Sequence, residues 1–177
     1  MTARGVGHSL AAMALCLAMP AQAAAQACVS EADVRAMVAF ALPSAVNGLI
    51  EHCGPSLAAG GFLRTQGPDL VARYGAGKQA AWPAAKRAFL QFADEKDAKA
   101  LKAVKGLPDE ALQPFVEGMI VSLIGTQLKP DQCALAERIV RLLAPLPPEN
   151  TAELVGLLVR LGSKGKKTPG DMNLCPE

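Results

Sequence analysis

Residues 28–55 read CVSEADVRAMVAFALPSAVNGLIEHCGP, and the way this stretch divides decides the fold. Ser30-Glu31-Ala32-Asp33 carries the pattern of a capping box, with the Ser30 hydroxyl placed to accept a first-turn N–H. Behind it Val34, Met37, Val38 and Ala41 recur at i, i+3, i+4 and i+7, the apolar stripe of an amphipathic helix. Pro43 lacks a backbone donor and disfavours a helical Leu42, so a stop or kink is expected there. The stripe resumes as Val46, Leu49, Ile50 and Cys53 and closes at Gly54-Pro55. This reading gives two short helices that reverse at Pro43, with Cys28 and Cys53 meeting at one end.

The rest of the chain repeats the theme. Residues 56–67 are glycine-rich and without period. Pro68 suits a first helical position and Gly75 a C-terminal cap. A longer helix follows over 78–93, with Trp82, Ala85, Phe89 and Phe92 on one face and Pro83 starting or kinking it. Residues 94–105 are charge-dense, with Leu101 and Val104 as anchors and Glu95 and Lys99 at i,i+4 spacing. The helix over 108–127 is apolar on most sides and is expected to be the central one. From Pro130 the pattern turns Leu135, Ala136, Ile139, Val140 and Leu143 inward and Glu137, Arg138 and Arg141 outward. Pro145, Pro147 and Pro148 should reverse the chain. Asn150 and Glu153 then form a second box before an inward stripe of Leu154, Leu157, Leu158 and Leu161, closed by Gly162. No segment alternates with period two over a useful length. The expected fold is an all-α, single-domain bundle of six or seven short helices over 28–177, with 162–177 a basic tail returning to the bundle.

Residues 1–27 read as a cleavable signal peptide. They contain one cation, Arg4, an apolar run over 10–19, then Pro20 and small residues, with cleavage options after Ala23, Ala25 or Ala27. Cys16 leaves with the leader, and Cys28, Cys53, Cys133 and Cys175 remain. An even cysteine count in an exported chain points to disulfides and an oxidising compartment, the periplasm by the style of the leader. Four cysteines allow three pairings. Two helical hairpins favour Cys28–Cys53 and Cys133–Cys175, because a bridge needs Cα atoms within roughly 7 Å. Were Pro43 only to kink one long helix, Cys28 and Cys53 would be about 35 Å apart, and this pairing would fail.

Composition narrows the function classes. The formal charge of +2 falls to +1 without the leader, far from the basic excess of a nucleic-acid binder. Five Phe, one Tyr and one Trp leave little for a stacking platform. The 115–128 stretch is too short to span a membrane and is interrupted by Glu117, so no stable insertion is expected after leader cleavage.

The residues that carry chemistry do not converge. There is no C-x-x-C for thiol exchange or haem attachment. His52 is the single histidine left after the leader, beside Cys53, and adjacent helical residues diverge by about 100°, which suits a shared metal poorly. Gly75-Ala76-Gly77-Lys78 has Ala72 and Gln79 where a P-loop needs Gly and Ser or Thr, and reads as a turn between helices. Asp94/Glu95 and Asp109/Glu110 belong to helix starts, where the dipole favours acids. Lys164, Lys166 and Lys167 form a basic cluster able to touch an anionic partner, or simply a solvated tail. Trp82, Phe89, Phe92 and Phe115 are either core or the lining of an apolar ligand cavity. The expectation is therefore a protein without metal or cofactor, not an enzyme, acting through a protein partner in the cell envelope in a chaperone-, inhibitor- or immunity-like role. The alternative is a carrier of a small apolar ligand. Oligomeric state is left open.

Overall fold

Residues 28–96, 104–163 and 174–175 are described by the computed structural model, the side chains of 92–96 and 163 excepted. Residues 1–27, expected to be a signal peptide, the segment 97–103 and the lysines Lys164, Lys166 and Lys167 lie outside the described residues. The fold is all-α. Helices α1 (Glu31–Cys53), α2 (Phe62–Thr65), α3 (Gly67–Gly75) and α4 (Lys78–Lys96) are followed by α5 (Asp109–Gln127), α6 (Cys133–Leu143) and α7 (Pro148–Ser163). Short 3-10 turns at Gly54–Ser56 and Pro130–Gln132 join α1 to α2 and α5 to α6. Among the described residues the β pairing is an isolated parallel bridge between Val29 and Leu174.

The start of α1 follows its sequence. Ser30 is extended, its Oγ accepts the Asp33 N–H at 3.1 Å, and it donates to the Asp33 carboxylate at 2.8 Å. Pro43 does not end the helix: α1 runs unbroken for 23 residues with Pro43 buried inside it. An interior proline costs about 3 kcal/mol in a free helix. Here α3, α4, α5 and α7 all pack on α1, and Phe40, Val46 and Cys53 are almost fully buried. Removing each such apolar side chain from water is worth about 1.5–3 kcal/mol, so the packing outweighs the lost hydrogen bond. With Pro43 continuous, α1 together with the turn after it is long and apolar enough to cross a membrane on length and composition alone. In this fold it is the core element instead.

That corrects the choice of central helix. Only Leu112 and Val116 of α5 are buried, and Phe115 and Leu123 are about half exposed. The core has two main parts. One gathers Val46, Cys53, Leu63, Leu70, Tyr74, Cys133 and Ala144 around the C-terminal half of α1. The other joins Phe40 to Trp82, Ala85 and Phe89 of α4 and to Leu112 and Val116 of α5.

Continuity of α1 also corrects the disulfides. Cys28 and Cys53 lie at opposite ends of a helix about 34 Å long. The bridges are Cys53–Cys133, with Cα atoms 5.4 Å apart, and Cys28–Cys175, with Cα atoms 4.9 Å apart. Nor do the prolines at 145–148 fold α7 back on α6. The chain from Cys133 tracks α1 from its end to its start: Cys133 bonds Cys53, Ala144 joins the Val46 cluster, Gly156 lies against Val34 and Arg35, and Arg160 pairs with Glu31. Helices α6 and α7 therefore lie end to end, antiparallel to α1. Cys175 reaches Cys28 at that far end, where its N–H donates to the Val29 carbonyl at 3.1 Å.

Two mid-helix glycines test the packing. A Cβ on Gly48 in α1 would come 3.2 Å from the Val121 Cα, which is backbone of α5 and cannot yield cheaply. A Cβ on Gly118 in α5 would meet nothing within 4 Å. Gly118→Ala is expected to stabilise by about 0.5–1 kcal/mol. Gly48→Ala should destabilise by about 1–2 kcal/mol despite the same gain in helix propensity. Urea titrations showing both variants moving in one direction would contradict the close approach of α1 and α5.

Candidate docking face and apolar cavity

Helix α7 is turned over relative to its amphipathic pattern. The residues it buries are Thr151, Ala152, Gly156 and Arg160, a small and polar set. Small side chains let the helix sit close to α1, with the Val34 Cγ1 at 3.8 Å from the position of a Gly156 Cβ. The polar members are satisfied. Thr151 Oγ1 donates to the Pro147 carbonyl at 3.1 Å and lies 3.4 Å from the Tyr74 hydroxyl, while the Arg160 guanidinium bonds the Glu31 carboxylate. The helix starts three residues earlier than the Asn150 box implies, with Pro148 as its first residue.

The leucines consequently face outward. Leu154, Leu157, Leu158 and Leu161 are 39–63% exposed, whereas the sequence pattern places them inside. In α6 the outcome is mixed: Ala136, Val140 and Leu143 are half-buried and Arg138 and Arg141 exposed, as the pattern implies. Leu135, Ile139 and Leu142 are 49–66% exposed, and Glu137, expected outside, is half-buried with its Oε1 accepting the Leu63 N–H at 3.1 Å. That carboxylate closes the N-terminus of α2, and a Cβ on Gly61 would sit 2.6 Å from Oε1 and displace it. Seven large aliphatic side chains thus line the outer side of α6 and α7. At about 1.5–3 kcal/mol per fully buried aliphatic, on the order of 7 kcal/mol of burial is unrealised on this face. Soluble chains seldom expose apolar patches beyond a few hundred Å² without a partner.

A second feature lies between α1, α4 and α5. A partly open cavity of about 250 Å³ is lined by Phe40, Trp82, Phe89, Val116, Met119 and Ile120 with Met37, Ala41 and Ala85. The sequence left Trp82 and Phe89 as either core or cavity lining, and the structure has both residues buried in the core and bordering this cavity. Phe115 does not, being half exposed on α5, and the Phe92 side chain lies outside the described residues. Phe40 and Trp82 rings meet at 4.8 Å between centroids. Trp82 Nε1 is buried with no acceptor in full hydrogen-bond geometry, yet it is close enough to the Asp109 carboxylate to act on it. Near it, Lys86 pairs with Asp109 at 2.5 Å, and the Lys86 hydrogen bond holds the Asp109 carboxyl below its usual range, aided by Trp82 and opposed by desolvation. Lys78, at the start of α4, pairs with Glu117 at 2.7 Å and lies 5.8 Å from the Phe40 ring centroid.

The remaining candidates have structural partners. His52 Nε2 is 2.9 Å from the Leu128 carbonyl and ties the end of α1 to the end of α5. Gly75 closes α3 and Lys78 opens α4, so that motif is an interhelical turn. Asp109 and Glu110 occupy the first turn of α5. All four described cysteines are in disulfides. Among the described residues no cluster of three His, Cys, Asp or Glu side chains is placed to hold a metal. A groove of about 520 Å³ between α3 and α6 holds Asp69, Arg73 and Arg141, with the Arg73 guanidinium bonded to the Ala144 carbonyl.

The sequence signal for the docking face was present but ambiguous. Thr151, Ala152 and Gly156 mark a small-residue side suited to close helix packing, yet the opposite leucine stripe is the stronger apolar pattern. The class of protein these features define is a disulfide-fastened all-α protein with an outward aliphatic face and an apolar internal cavity. No family model, curated protein or solved structure matches this chain.

Proposed function

We propose that this is an exported binding protein of the periplasm that works by docking a protein partner on the outer face of α6 and α7. Two disulfides support an oxidising compartment. The observation that carries the reading is the outward set of Leu135, Ile139, Leu142, Leu154, Leu157, Leu158 and Leu161. Aliphatic side chains presented by two successive helices offer a groove-binding partner regularly spaced anchors. Affinity capture from periplasmic extract, comparing the native protein with Leu142→Glu and Leu158→Glu variants of unchanged melting temperature, tests it. A protein retained by the native chain and lost from both variants is expected. Identical captured sets would contradict it.

The cavity favours a second reading, carriage of a small apolar ligand. Its lining offers no charged side chain, so the ligand class is an aliphatic chain or unsubstituted ring. Native mass spectrometry of protein recovered from the envelope should then show a retained apolar molecule, absent from an Ala85→Leu variant that narrows the cavity. Ligand-free protein whose melting temperature is unmoved by such compounds would dispose of this reading.

A further inference from the structure

We infer that the chain docked on the α6–α7 face is a second copy of this protein, in antiparallel register about a two-fold axis near the turn at 144–147. The inference rests on the docking reading of that face and names its occupant. Helices α6 and α7 lie end to end along α1, so their outward stripes form one strip of about 40 Å at 1.5 Å per residue. A two-fold axis across the middle of that strip sets α6 of each copy against α7 of the other, the isologous arrangement that closes as a dimer. A strip of this length matches the standard interface of about 800 Å² per partner.

Charge selects the antiparallel register. At about 100° per residue, Arg138 lies roughly 65° to one side of the α6 stripe, and Glu153 roughly 90° to the same side of the α7 stripe. Arg141 and Glu149 lie about 130° from their stripes, Arg141 lining the groove between α3 and α6, and face away from the seam. All four are exposed, and among the described residues none makes an ion pair within its own chain. When two helices pair antiparallel, flanks on the same side face each other, so Arg138 meets Glu153 of the partner subunit. A parallel pairing sets α6 against α6 and leaves these charges unmatched. The low formal charge, +1 once residues 1–27 are removed, adds little repulsion between copies.

Sedimentation velocity of the exported, fully oxidised protein over about 1–100 μM tests the inference. A dimer is expected, with Leu142→Glu and Leu158→Glu each weakening it by at least about 100-fold at unchanged melting temperature. Arg138→Glu should weaken it about 10-fold or more, and adding Glu153→Arg should restore it. A folded monomer at 100 μM, or a dimer indifferent to both leucine variants or to the charge exchange, overturns the inference. A monomer that still captures a different protein through Leu142 and Leu158 leaves the docking reading intact. A monomer that captures nothing overturns both.

Discussion

Replacing Cys53 and Cys133 together by alanine is expected to lower stability by about 4–5 kcal/mol. The bridge joins residues 80 apart in sequence, and loop-closure entropy for a loop of that length is of this size. Both cysteines are almost fully buried in the cluster of Val46, Leu63, Leu70 and Tyr74, so no new water contact compensates for the lost link. The bridge also holds the start of α6 against the end of α1, and through Glu137 the N-terminus of α2. Urea unfolding of the double variant, with Cys28–Cys175 intact, checks the value. A loss below about 1 kcal/mol would show that packing alone positions α6. Non-reducing peptide mapping should recover Cys53 linked to Cys133 and Cys28 linked to Cys175.

Phe40→Ala is expected to cost about 4 kcal/mol. Phe40 is 1% exposed, packs on Trp82, and already borders a cavity of about 250 Å³. Truncation enlarges a space that close-packed neighbours fill only partly, and it removes the aromatic pair. Apolar cavities lined by such side chains stay dry and accept benzene. Benzene should therefore recover part of the loss in the variant and raise the native midpoint less. A cost under about 1.5 kcal/mol without benzene would mean that α4 and α5 collapse onto α1.

Local rules were legible in the chain. Ser30 caps α1 through Asp33 as its spacing implies, α3 ends at Gly75, α4 opens at Lys78, and α5 occupies the stretch after Pro108. These features depend on backbone groups within one turn of the residue concerned. The leucine face was only half legible: Leu154, Leu157, Leu158 and Leu161 were correctly grouped on one side, but the side was assigned to the core. Periodicity reports that a helix has two faces. It does not report which face finds a neighbour.

The sequence by itself determined that the chain is helical, where most helices begin, and that four cysteines follow residue 27. Only the tertiary structure decided the rest. Pro43 remains inside α1 because helices distant in sequence bury it, a gain no local pattern can register. Once α1 is continuous, its two ends lie too far apart to share a bridge, and each cysteine takes the partner that packing delivers to its own end. The inversion of α7 has the same cause: its small residues and satisfied polar groups fit closely against α1, and the bulkier leucines are left facing outward.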